Sequence, residues 1–162
     1  MRMSWRTLGL LMALIVSVAV ITIWLTLFIR DRSPNLAGPA SPLTDPVMRD
    51  IDADRGWQNT GILLEPGETI RIQFVSGEIR DRDTLIRGLA GAGWTCGDST
   101  CCEPMPTVER DALIGRVADM LFPIGDTNKI TISTGGELQL RINDCDAGLF
   151  DNSGSLTVKI SN

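Results

Sequence analysis

The amino-acid sequence predicts an all-β domain, a small antiparallel β-sandwich of jelly-roll type, preceded by one N-terminal transmembrane helix. From about residue 52 onwards, short runs of alternating apolar and polar residues are separated by turn signals such as Pro66-Gly67, a pattern typical of half-buried antiparallel strands. Before them, residues 8–29 carry no charged side chain. The 22 residues of this run would form a helix roughly 33 Å long, which matches a hydrocarbon core about 30 Å thick.

Residues 1–30 are therefore interpreted as a membrane anchor with a single span. The apolar run is longer than the roughly 7 to 15 residues of a signal peptide, and it ends without an Ala-x-Ala cleavage site. Trp5 and Trp24 lie near its two ends, where aromatic residues favour the membrane interface. Basic residues on the two sides nearly balance, but all four cysteines follow the anchor. This favours a cytoplasmic N terminus and a domain outside the cytosol.

Residues 31–51 contain four prolines and are expected to form a semi-rigid linker that holds the domain away from the membrane. The domain itself is predicted over residues 52–162, with an irregular insert at about residues 77–110. Strands are predicted where apolar residues recur at every second position. These segments are residues 61–65, 69–75, 112–117, 128–133, 136–143 and 155–161.

The part of the chain beyond the anchor is acidic. After residue 30 the sequence holds all 20 acidic residues and 12 of the 15 basic ones, which gives a net charge of −8. Nucleic acid and anionic lipid head groups need a basic surface, so neither is an expected ligand. A cation or a neutral partner fits this charge better.

Catalysis is not expected, and the chain is predicted not to be an enzyme. It contains no histidine, so the commonest general base and the usual partner of a Ser or Cys nucleophile are missing. Two carboxylate pairs, Asp81 with Asp83 and Asp144 with Asp146, keep glycoside hydrolysis as a distant alternative. No motif with a catalytic mechanism is present.

The four cysteines fit either a zinc site or two disulfides. Cys96, Cys101 and Cys102 lie in the insert, and Cys145 follows far along the chain, a spacing unlike the paired short knuckles of zinc sites. Adjacent cysteines such as Cys101 and Cys102 seldom bond each other. The sequence therefore predicts that one of these two pairs with Cys96 and the other with Cys145, which would tie the insert to the loop around Cys145.

That loop is unusually rich in oxygen ligands. Residues 143–155, NDCDAGLFDNSGS, contain three Asp and two Asn residues, whereas a hairpin turn needs only about one or two. Carboxylate, amide and main-chain oxygens are the ligands of calcium, although the spacing is not that of an EF-hand. The segment is therefore either a calcium-binding loop or a polar hairpin.

The segment NDCDAGLFDNSGSLTVKI, preceded by GGELQLRI, resembles the C-terminal calcium loop and last strand of the galactose-binding bacterial lectins of the PA-I type. A looser resemblance extends over GWQNTGILLEPGETIRIQFVSGEI and ALIGRV, and so covers residues 55–162. The resemblance implies a galactose-binding-like β-sandwich of bacterial origin. Together with the predicted anchor and the cysteines, this places the expected domain in the periplasm or outside, tethered to the bacterial inner membrane.

The resemblance also implies a ligand set for calcium. Asp144 would be the aspartate ligand, and Gly148 would offer its main-chain carbonyl. Asp151 and Asn152 would take the places of two paired asparagines, and a further main-chain carbonyl would fall near Asp81. In this family the ion is shared with two sugar hydroxyls, so calcium would form part of the carbohydrate site.

The chain departs from the family in three ways. The sugar-contacting histidine is absent, the cysteine insert replaces an intervening loop, and Asp151 stands where the family has asparagine. An extra carboxylate should keep or strengthen calcium binding, whereas loss of the contacting loop removes the basis for galactose specificity. Trp94 and Asp146 are the candidates for ligand contact, while Trp57 and Trp94 each fit either stacking on a sugar or packing beside loop glycines.

Two functions follow from these features. The first is a membrane-anchored module outside the cytoplasm that binds calcium and, through it, a carbohydrate. The alternative keeps the fold and the anchor but makes the chain a non-enzymatic accessory subunit of a larger membrane-protein complex. A tethered domain meets its partners at high effective concentration, which favours this alternative.

Overall fold

A computed structural model describes residues 39–98, 100–125 and 129–162. Over these ranges the protein is all-β, with ten strands in two sheets and one short 3-10 helix. The predicted anchor at residues 8–29 lies outside the described residues. Within the described ranges, no helix has the length and apolar character needed to cross a membrane.

The strands are short except for two long ones that lie side by side. The 3-10 helix, η1, spans Leu149–Asp151 and leads into the last strand. The strands are β1 (Ser41–Pro42), β2 (Val47–Asp52), β3 (Gln58–Leu64), β4 (Thr69–Asp81), β5 (Thr84–Ile86), β6 (Leu113–Val117), β7 (Met120–Pro123), β8 (Lys129–Thr131), β9 (Gly136–Ile142) and β10 (Asn152–Ser161).

The two sheets have separate strand orders. The first runs β1-β3-β9-β6-β7, and the second runs β2-β10-β4-β5, with β8 pairing the start of β4. All pairings are antiparallel except β1 with β3. The predicted antiparallel strands are thus confirmed as the main content of the domain.

The core lies between the inner faces of the two sheets. Along β10, Leu156, Val158 and Ile160 are fully buried and alternate with partly exposed residues, as the period of a strand requires. Leu138 and Leu140 of β9 are equally buried and belong to the same core cluster. Burial of each such side chain contributes about 1.5–3 kcal/mol, so the alternation seen in the sequence is what holds the sheets together.

The domain begins earlier than residue 52, and the linker expected over residues 31–51 is shortened accordingly. Strand β2 pairs along β10 from Val47 to Asp52, and Leu43 lies in the core. Proline obscured this strand in the sequence. Pro42 is tolerated because β1 is an edge strand, where a missing N–H costs no ladder bond.

The irregular insert is also shorter than residues 77–110, because β4 continues to Asp81 and β5 follows it. Two glycines allow β4 and β10 to stay paired as far as Asp81. A Cβ atom at Gly77 would lie 2.2 Å from the Ser155 carbonyl oxygen, and one at Gly154 would lie 2.3 Å from that of Glu78. The close approach places Asp81 directly opposite Asn152.

The insert is held by two disulfides, Cys96–Cys101 and Cys102–Cys145. This confirms the predicted pairing and identifies Cys102 as the partner of Cys145. The second bond attaches the insert to the loop between β9 and η1. The insert therefore lies beside the acidic loop.

Candidate functional site

The predicted ligand residues converge where β4 ends and β10 begins. Asp81 is the last residue of β4 and Asn152 is the first of β10, and the two are paired. Asp151 ends the 3-10 helix just before Asn152, and Gly148 precedes that helix. A Cβ atom added to Gly148 would lie 3.0 Å from the Asp144 carboxylate. Asp144 therefore belongs to the same cluster as Asp81, Gly148, Asp151 and Asn152.

Asp144 is at the centre of this cluster, and its side chain is completely buried. Its Oδ1 accepts a hydrogen bond from the Cys145 main-chain N–H at 2.7 Å and forms an ion pair with Nη2 of Arg110 at 2.8 Å. Its Oδ2 accepts a hydrogen bond from Nδ2 of Asn152 at 3.0 Å. One carboxylate thus joins the acidic loop, β10 and the end of the insert.

Two arginines partly balance the carboxylates. Arg110 also lies 3.3 Å from Oδ2 of Asp81 through its Nε atom, and it bridges two carboxylates of the cluster. Arg82 donates to Oδ2 of Asp151 at 2.7 Å from an exposed position. The pKa of Arg82 is raised by this hydrogen bond and the neighbouring charge, but an exposed ion pair of this kind contributes little to stability.

A fourth carboxylate, that of Asp111, lies in the cluster, and sequence reasoning missed it. Asp111 is 1% exposed, and its backbone has a φ of 62°, a left-handed conformation that Asp tolerates better than most residues. Burial, and next the charges of Asp81 and Asp144, raise its pKa to about 7, while Arg110 opposes the shift. In the sequence it is only the last of three charged residues before β6.

Five buried oxygen atoms of the cluster have no hydrogen-bond donor. They belong to four side chains, three carboxylates and one amide. They are Oδ1 of Asp81, Oδ1 and Oδ2 of Asp111, Oδ1 of Asp151 and Oδ1 of Asn152.

Buried polar atoms without a partner are uncommon in folded proteins and call for an explanation such as an ion. Oxygen-only donors from carboxylates and amides are what calcium selects. The residues present therefore fit calcium. The carboxylates do not gather in threes within 4.8 Å in the described part of the chain, and Arg110 lies between those of Asp81 and Asp144. An ion would have to draw them closer together.

Closer groups of potential ligands occur in the insert, around Cys96 with Cys101 and around Cys102 with Cys145. All four sulfurs are bonded to each other in pairs, and a disulfide sulfur is not the thiolate that zinc requires. The zinc interpretation of the cysteines therefore does not apply to this structure.

The two residues expected to contact a ligand differ in their surroundings. Trp94 is 49% exposed, and the guanidinium of Arg110 lies 5.4 Å from its ring centre, which places it beside the carboxylate cluster. Asp146 is almost fully exposed and accepts a hydrogen bond from Nη1 of Arg141 at 2.7 Å. Trp57, by contrast, is half-buried beneath Arg116 at 4.5 Å, as a packing residue would be.

Asn143 fixes the insert against this site. The two hydrogens of its Nδ2 are shared among the main-chain carbonyls of Met105, Val108 and Glu109, and its Oδ1 accepts from the Met105 N–H. The side chain is fully buried. Asn143 therefore holds in place the segment of the insert that leads directly to Arg110 and Asp111.

Comparison with known proteins shows which type of fold the domain has. No family model and no curated protein sequence matches the chain. Among solved structures, the chain is similar to the N-terminal domain of EclA, described as a PllA-like lectin, with a TM-score of 0.54 and 25% identity. The match covers 70% of this chain and 93% of the other.

The domain has a lectin-like fold. This agrees with the predicted lectin resemblance at the level of the fold.

Proposed function

We propose that the protein is a membrane-anchored module that binds calcium and, through the ion, a carbohydrate. The observation that carries this proposal is the group of buried oxygen atoms without donors around Asp144. Asp144, Asp151, Asn152, the main chain at Gly148 and Asp81 would supply ligands. For Asp81 the structure favours the carboxylate over the expected carbonyl, because its Oδ1 is buried and has no partner.

The charge of the site supports a divalent cation. Four carboxylates stand against Arg82 and Arg110, which interact with three of them, those of Asp81, Asp144 and Asp151. A dication compensates the remaining negative charge, and calcium accepts 6 to 8 oxygen ligands in flexible geometry. Magnesium is less suitable because it requires near-ideal octahedral ligands and dehydrates reluctantly.

The lectin-like fold and an exposed tryptophan support the carbohydrate part of the proposal. The similar solved domain is described as a lectin. Trp94 lies beside the cluster through Arg110, and an exposed indole face offers an apolar platform for a sugar ring. The anchor predicted at residues 8–29 would hold this site outside the inner membrane of a bacterium.

The calcium claim is tested by thermal unfolding of the full chain in mild detergent, with chelator and then with millimolar calcium. A ligand at about 100 times its Kd stabilises the folded state by about 2.7 kcal/mol, and we expect a matching rise in Tm. Asp144→Ala should abolish the rise. Asp119→Ala, at an exposed position in the turn after β6, is the control and should keep it. No rise in the unaltered protein would refute calcium binding.

The carbohydrate claim is tested by binding to a glycan array with and without chelator. We expect binding that requires calcium and that Trp94→Ala weakens, because the indole face is lost. Phe74→Ala removes another partly exposed aromatic ring, one in the middle of β4, and should have no effect. Absence of binding to every glycan, together with stable co-purification of membrane proteins, would instead favour the accessory-subunit function.

A further inference from the structure

We propose that Asp111 is a further ligand of the cation site. Its carboxylate binds calcium directly from the side of β6. The proposal rests on the proposed calcium function and deepens it. It adds a ligand from the insert side of the domain, which the implied ligand set of Asp81, Asp144, Gly148, Asp151 and Asn152 does not contain.

The burial of Asp111 is the first argument. Its side chain is shielded from water, yet neither carboxylate oxygen has a hydrogen-bond donor. An ionised carboxylate in such a place is costly unless it is paired or coordinates a metal. Arg110, its neighbour in the chain, pairs with Asp81 and Asp144 instead. Within the described residues, no donor of the protein forms a hydrogen bond to this carboxylate.

Main-chain hydrogen bonds hold Asp111 next to the site. Its N–H donates to the carbonyl of Asn143 at 3.1 Å, and the N–H of Asn143 donates to the carbonyl of Ala112 at 2.8 Å. This pair of bonds places Asp111 alongside the residue that precedes Asp144. The charges of Asp81 and Asp144 both raise the pKa of its carboxyl group, so the three carboxyl groups lie near one another. Asp111 therefore lies close to two of the proposed ligands, in the turn that precedes β6.

The charges make a divalent cation the matching ligand. Around Arg110 lie three carboxylates, those of Asp81, Asp111 and Asp144, which leaves an excess of two negative charges when all three are ionised. One calcium ion removes that excess. Asp111 also brings two of the five oxygen atoms without donors, so its loss would remove the largest single contribution to the ligand count.

The test is calorimetric titration of the full chain in detergent with calcium alone. Asp111→Asn removes the charge and keeps a residue that tolerates the left-handed backbone. We expect its Kd for calcium to rise by about tenfold or more, since the negative charge and one of the two carboxylate oxygens are lost. Glu103→Gln is the matched control, because Glu103 is also buried with an oxygen that has no donor but is not among the charges acting on Asp111. Its Kd should stay within about twofold of the original.

The outcomes separate this inference from the proposed function. Calcium binding by the unaltered protein and equal binding by Asp111→Asn would overturn the inference and leave the calcium function standing. No binding by the unaltered protein would overturn both. If Asp111→Asn does not fold, Asp111→Gly replaces it, because glycine adopts the same φ freely, and the same loss of affinity is expected.

Discussion

Replacing Asp111 with asparagine should change how the stability of the calcium-free protein depends on pH. The carboxyl group is buried, and the charges of Asp81, Asp144 and Arg110 act on it. Its pKa is raised from the ordinary 3.8 to about 7 in the folded protein. The neutral amide of asparagine keeps the size and the backbone preference but does not titrate.

The direction of the effect follows from the two pKa values. An acid whose pKa is raised by folding binds its proton more tightly in the folded state, so stability falls as the pH rises from 3.8 towards about 7. This loss of stability is complete once the pH exceeds the pKa of Asp111 in the folded protein. The folded and unfolded pKa values differ by about 3, and at about 1.4 kcal/mol per pH unit this amounts to roughly 4 kcal/mol. This is a large share of the roughly 5–15 kcal/mol by which domains are stable.

The assay is urea unfolding of the full chain in detergent and chelator, at steps from pH 4.5 to pH 8. The free energy of unfolding of Asp111→Asn minus that of the unaltered protein is the quantity to follow. We expect this difference to be small at the acidic end and to grow by about 3–4 kcal/mol towards pH 8. Glu103→Gln is measured in parallel, as the removal of another buried acid that is not among the charges acting on Asp111.

A difference that stays constant between pH 5 and pH 8 would refute the reasoning. It would mean that Asp111 is paired or hydrated in the folded protein and that its burial carries no penalty. Addition of calcium should shrink the difference at pH 8, because an ion compensates the carboxylate that asparagine lacks.

Three further predictions concern the framework of the site. The double variant Cys102→Ser with Cys145→Ser opens a loop of 43 residues and should lower the free energy of unfolding by about 4 kcal/mol in urea unfolding; an unchanged midpoint would contradict this. Asn143→Ala removes a fully buried amide that hydrogen-bonds the insert through its NH2 group and through Oδ1 and should cost about 3 kcal/mol in the same assay, with faster proteolysis of the insert; protection equal to the original would argue against its anchoring role. Gly115→Ala would bring a Cβ atom within 2.3 Å of the Phe122 ring and should lower Tm, and Phe122→Leu in the same chain should restore part of the loss; no rescue would exclude that clash.

Much of the candidate site could be predicted because it lies within one continuous segment. Asp144, Gly148, Asp151 and Asn152 are close along the chain, so the turn that joins β9 to β10 brings them together whatever the rest of the fold does. Asp81 could be placed only approximately. Its position depends on how far β4 stays paired with β10, and this is decided by the close backbone approach at Gly77 and Gly154.

Arg110 and Asp111 show what could not be predicted. They lie more than thirty residues before Asp144, and in the sequence they form an ordinary charged turn. Hydrogen bonds between the main chains on either side of Asp111 and Asn143 bring this turn to the acidic loop. Counting charges in a sequence says nothing about which of them will share a buried volume.

By itself, the sequence determined the all-β class, the alternation that builds the core, the two alternative disulfide pairings and the oxygen-rich loop, because each depends on residues that are near in the chain or on a simple elimination. Only the tertiary structure decided that Val47–Asp52 is a strand of the sheet, that Cys102 bonds Cys145, and that Asp111 joins the cluster. Those outcomes depend on pairing between distant segments, where burial and backbone geometry outweigh the local pattern.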